Sequence, residues 1–179
     1  MKGVYVLILR LDNDRDILVG KLGELHFKKG FYAYIGSAMG RGGFKRVTRH
    51  FNVAQGKNST RKWHIDYLLP HSEVICAVFS PTDEAIECVV AKILGEKTLR
   101  KFYQKPLRCF TSQTRMPAGI RGYCASRSFG FSSAIPGFGC SDCSCETHLF
   151  FTGKNISGYA ADACRGVSGN ESIIINPHM

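Results

Sequence analysis

Two groups of residues in this chain have the chemistry to act on a ligand. The first is Arg46, Arg49 and His50, which a 3.6-residue repeat gathers on one side of a helix beginning near Phe44. Phe44, Val47 and Phe51 fall on the other side as a stripe for burial. Just before it, Phe31–Ile35 alternates aromatic with small or apolar residues, as a pleated strand does, so Tyr32 and Tyr34 share a face. Gly36 and Gly40–Gly43 form the turn between them. Guanidinium forks, an imidazole and phenol hydroxyls side by side suit chemistry on a phosphate. The second group is Cys140, Cys143, Cys145 and His148. Thiolate and imidazole donors at this spacing can hold a tetrahedral Zn²⁺, or can form the rim of a neighbouring site. Cys140 and Cys143 have the usual turn spacing, whereas Cys143 and Cys145 are tighter. Buried thiols, or Ser141-Asp142 opening a helix, are the plain alternative.

The elements that must position these groups are legible in outline. Gly3–Leu11 is an apolar run of strand length. Ile17–Val19 and Glu24–Phe27 are short strands, and Lys28-Lys29-Gly30 turns the chain into the tyrosine strand. These four read as one small antiparallel sheet. Trp63–Leu69 reads as a helix with Ile65, Leu68 and Leu69 inward. His64 and Asp66 within it either hydrogen-bond locally or join a second site. Glu73–Phe79 is a strand. Thr82 then serves as N-cap of a helix with Ile86, Val89, Val90 and Ile93 as its buried stripe and Glu87 on the margin. The fold class is α+β: a mostly antiparallel sheet with a three-stranded core and flanking helices. One domain is expected over 3–151, with a basic insertion at about 95–134 and a loosely held tail over 152–179.

The net charge is +10 on 179 residues, and it is unevenly spread. Residues 41–62 carry seven Lys/Arg and no Asp/Glu, and residues 97–135 carry eight and none. Such blocks imply a polyanionic partner, DNA first, with RNA equally compatible on charge alone. No stretch reaches the roughly 18 apolar residues that cross a bilayer, so no membrane partner is expected. Val4–Leu11 is short, ends in charge and lacks a cleavage site, which points to the cytoplasm. The eight cysteines then read as thiols or metal ligands before disulfides.

Gly3-Val4-Tyr5 and Tyr34-Ile35-Gly36, followed by Arg46-x-x-Arg49-His50-Phe51, resemble the paired signature and first helix of the GIY-YIG nuclease family. The Trp63–Leu68 run and the segment from Gly137 to His148 resemble an uncharacterised archaeal and bacterial branch sometimes joined to an endonuclease III-type glycosylase. The resemblance implies a divalent-metal-dependent endonuclease acting on DNA, in repair, with a glycosylase as partner. It implies Glu87 as the carboxylate for Mg²⁺ or Mn²⁺, Tyr5 as base or water-orienting group, and Arg46 as the phosphate clamp. Tyr34 and His50 complete the catalytic set, and Arg41, Lys45 and Arg49 contact nucleic acid. Two rival readings stand beside it: a non-catalytic nucleic-acid-binding module on the same scaffold, and a zinc-stabilised interaction domain.

Overall fold

The computed structural model describes residues 1–95 and 133–177. The fold is α+β, as expected. Strand β1 (Gly3–Leu11) lies at the centre of a six-stranded sheet, between β4 (Gly30–Ser37) and β5 (Glu73–Pro81). Beyond β4 lie β7 (Leu149–Phe151) and β6 (Ser133–Ala134), and beyond β5 lies β8 (Ile173–Ile175). Every neighbouring pair is antiparallel. The three-stranded core is thus real, and short strands from the C-terminal part widen it.

The hairpin of β2 (Arg15–Leu18) and β3 (Glu24–Phe27) forms a separate two-stranded sheet, rather than joining the main one. Its residues alternate poorly for a sheet buried on both faces; only Ile17 and Phe27 are buried. The edge of β4 that it would need is taken by β7.

Alternation along β1 divides the molecule into two cores. Tyr5, Leu7, Leu9 and Leu11 face one side, together with Tyr32 and Tyr34. Helix α1 (Lys45–Ala54) covers that side through Val47 and Val53, and α2 (Ile65–Leu68) through Ile65 and Leu68. Val4, Val6 and Ile8 face the other side, covered by α3 (Glu87–Gly95) and α4 (Ser157–Ser168). Full burial of one such aliphatic side chain contributes about 1.5–3 kcal/mol, so both faces are strongly held to their helices.

Three expectations need correction here. Helix α3 begins at Glu87 rather than at Thr82, because β5 continues through Pro81 and Thr82 Oγ1 closes a local turn on the Glu84 N–H. Its buried stripe is Val90, Ala91 and Leu94 with Ile86 just ahead, while Val89 is 48% exposed. The region expected as a loose tail contains α4, whose Ala160, Ala163 and Cys164 pack into the second core. Small residues on that face let the helix approach the sheet closely, a signal that an apolar periodicity search undervalues. The basic insertion expected at about 95–134 lies almost wholly outside the described residues. Among the described residues, no helix is long and apolar enough to cross a membrane.

Candidate functional site

Tyr5 of β1 and Tyr34 of β4 meet on the α1 side of the sheet, with ring centroids 6.5 Å apart. The register explains the meeting. Tyr5 pairs with Gly36 across the two strands, and a Cβ on Gly36 would overlap the Tyr5 ring and hydroxyl. Glycine at that position is what allows the phenol to lie across β4 and reach α1.

On α1 it meets His50. The Tyr5 hydroxyl lies 2.8 Å from His50 Nε2. The imidazole faces inward, 1% exposed, instead of outward with the arginines. Behind it, His50 Nδ1 lies 3.4 Å from Asp66 Oδ1 on α2, a close electrostatic approach without hydrogen-bond geometry. A proton on Nδ1 faces that carboxylate and leaves Nε2 to accept from the Tyr5 hydroxyl.

Asp66 is wholly buried and richly supplied with donors. Arg49 donates from Nη1 to Oδ1 at 2.8 Å and from Nη2 to Oδ2 at 2.9 Å. The backbone N–H groups of Lys62 and Trp63 donate to Oδ2 at 2.8 and 3.0 Å. Burial would raise this carboxyl, but His50, Arg49 and the two N–H groups overcome it and hold it well below the usual carboxylate range. Burial lowers His50 from its ordinary value; Asp66 opposes that, and Arg49 and Arg46 add to it. The imidazole is therefore neutral at pH 7. Burial pushes the Tyr5 and Tyr34 hydroxyls well above their ordinary value, with Arg46 pulling each back.

The two arginines of α1 have different partners. Arg49 is engaged by Asp66 and by the Thr60 carbonyl. Arg46 donates from Nη1 to the Ser37 carbonyl at 2.8 Å and, among the described residues, has no carboxylate partner. Its guanidinium rests 5.4 Å from the Trp63 ring centroid, and those of Arg49 and the Lys62 ammonium lie at 4.6 and 5.1 Å. Arg41 and Lys45 line a surface cavity of about 430 Å³ with Lys2 and the Gly40–Gly43 turn.

Of the residues expected in one site, Tyr5, Tyr34, Arg46 and His50 come together. Glu87 does not join them. It opens α3 on the opposite face of the sheet and, among the described residues, makes no hydrogen bond or ion pair; its charge acts on His148. Asp66 is the member that sequence reasoning undervalued. The available signal was that it is the first acid after a run of seven cations.

The cysteine group is also regrouped. Cys88 of α3 joins Cys143, Cys145 and His148, with one ligand atom from each lying within 4.8 Å of the others. This is a group that can hold a metal ion. Cys140 is not part of it; its thiol points to the Glu146 carbonyl, 3.7 Å away. Gly137 and Gly139 of this loop have positive φ, and of its three cysteines Cys143 and Cys145 join Cys88 and His148. Burial, followed by the neighbouring thiols Cys145 and Cys143, pushes the Cys88 thiol up to about 12.

Fold and site together define an α+β domain with an antiparallel sheet, a buried Tyr–His–Asp cluster on one face and a cysteine–histidine group between α3 and the loop ahead of β7. The chain belongs to the family described as "Domain of unknown function DUF123", which it matches over residues 4–115 and 122–168. No curated protein and no solved structure matches it. This family is distinct from the GIY-YIG nucleases, so the resemblance drawn from the two tripeptides is corrected. The tripeptides have a local cause: Tyr5 needs Gly36 opposite it, and a Cβ on Gly3 would overlap the Ser80 carbonyl and crowd Phe79. The glycosylase partner rested on the same resemblance.

Proposed function

We propose that the chain is a nucleic-acid phosphodiester hydrolase, with DNA as substrate, working at Tyr5, Tyr34, His50 and Arg46. The observation that carries this is an arginine that, among the described residues, has no acidic partner and is held beside a buried Tyr–His pair. A guanidinium with donors to spare can take two phosphoryl oxygens through charge-assisted bonds. The Tyr34 hydroxyl, which has no hydrogen bond among the described residues, is the group that meets the attacking water. Tyr5 gives its hydroxyl proton to neutral His50 as it takes one from that water, and the bond from phosphorus to the 3′ oxygen breaks. The imidazolium, favoured by Asp66, returns the proton to the departing oxygen. The charge of +10 and the cavity lined by Lys2, Arg41 and Lys45 support a polyanionic substrate.

A hard divalent ion, Mg²⁺ or Mn²⁺, would assist through carboxylate and water oxygens, but Glu87, which opens α3 on the opposite face of the sheet, is not placed to hold it beside Arg46. The cysteine–histidine group offers the wrong donors for such an ion and the right ones for zinc. A second reading, binding without cleavage, is favoured by burial: Tyr5 is 3% exposed and His50 1%.

One assay separates the two. Plain, branched and damaged DNA, with an RNA control, is incubated with the protein and Mg²⁺ or Mn²⁺. Hydrolysis predicts cleavage that falls at least ~100-fold in Tyr5→Phe and Arg46→Ala while both variants stay folded. Binding alone predicts no cleavage and an affinity that falls with salt yet survives Arg46→Ala with a small loss.

A further inference from the structure

We propose that Cys88, Cys143, Cys145 and His148 hold one zinc ion in a closed, structural site. It staples the first turn of α3 to the loop ahead of β7.

The separations fit. A tetrahedral zinc with Zn–S of about 2.3 Å and Zn–N of about 2.0 Å sets its ligand atoms about 3.5–3.8 Å apart. Cys143 Sγ and Cys88 Sγ lie 3.6 and 3.9 Å from His148 Nε2, and all four ligand atoms lie within 4.8 Å of one another. The donors fit as well. Three thiols and an imidazole are soft to borderline ligands that choose zinc over magnesium or calcium. Three thiols cannot all pair as disulfides, and an imidazole aimed at them by Nε2 has no part in such a bridge. Four protein ligands leave no open position, which is the mark of a structural rather than a catalytic zinc.

The surroundings give the staple a task. Cys88 and His148 are 60 residues apart in sequence, so the ion closes a long stretch of chain into a loop. On the loop side, Gly139 N–H donates to His64 Nδ1 at 3.1 Å, and Phe138 is buried with its ring centroid 6.3 Å from that of Tyr34. A Cβ on Gly139 would sit 3.0 Å from Tyr34 Cε2 and 3.1 Å from His148 Cβ. The metal loop is thus the wall against which Tyr34 packs. The site shares no side chain with the hydrolytic reading, and either can fail alone.

The test measures zinc in the full chain purified under reducing conditions, and the spectrum of the protein reloaded with Co²⁺. Wild type and Cys140→Ser are expected to carry roughly one zinc per chain, and Cys88→Ser much less. Wild type with Co²⁺ is expected to show the intense visible bands of a tetrahedral ion and near-ultraviolet thiolate charge transfer, a reading that needs no variant to fold. Wild type without zinc and without those bands overturns the site. Loss of metal from Cys140→Ser with retention by Cys88→Ser overturns this ligand set.

Discussion

Replacing Asp66 with Asn is the sharpest probe of the buried cluster. The substitution keeps shape and removes charge from a wholly buried group that accepts two bonds from Arg49 and two from backbone N–H groups. The Asn NH₂ must face at least one pair of those donors, and the Arg49 guanidinium loses its counter-charge. Breaking a buried pair from one side costs about 3–5 kcal/mol. Summing four charge-assisted bonds at about 1.5–3 kcal/mol each would overshoot, because they share one carboxylate. Against a total stability of about 5–15 kcal/mol, the loss is large. It corresponds to a fall in Tm of roughly 6–20 °C for a chain of this size. Urea unfolding followed by fluorescence reports it directly, since Trp63 is the single tryptophan and stacks against Arg46, Arg49 and Lys62. The acid limb supplies an internal check. Because Asp66 is held below its ordinary value when folded, its stabilisation is fully present above about pH 4 and is lost as pH falls below that. Below pH 4 the wild type should therefore lose about 1.4 kcal/mol per pH unit more than the variant does. A destabilisation under about 1 kcal/mol, or equal acid slopes for the two proteins, would refute the assignment of Asp66 as the charged centre of the cluster.

Two further outcomes follow from the same geometry. Gly36→Ala forces the Tyr5 ring off β4 and should cost about 1–3 kcal/mol in urea unfolding; a variant as stable as wild type would mean that the strands do not pair in this register. His50 is lowered by burial, so its neutral form stabilises the fold fully above about pH 6.5, and that share is lost as pH falls through its folded value. His50→Gln should accordingly show a shallower loss of stability than wild type below pH 6.5, and parallel curves would count against a buried neutral imidazole.

What the sequence determined by itself is local and periodic. The apolar run Gly3–Leu11 and the alternation in Phe31–Ile35 set two strands, and the alternation set the shared face of Tyr32 and Tyr34. The inward set Ile65, Leu68 and Leu69 was likewise legible, because burial repeats with the helix. Charge counting located the basic blocks, since charge needs no fold to be counted. Tertiary structure alone decided the partners. A helical wheel places His50 beside Arg46 and Arg49, yet only the packing of α1 on β1 turns it inward onto Tyr5. Sequence proximity grouped Cys140 with its neighbours, whereas the ligand that completes the cluster, Cys88, comes from a helix far away in the chain. Glu87 went astray for the same reason: a helix period says which residues share a stripe, but not which face of the sheet that helix will cover. That choice depends on long-range packing, where the cost of closing the chain is set against the apolar surface buried, and no short motif encodes it.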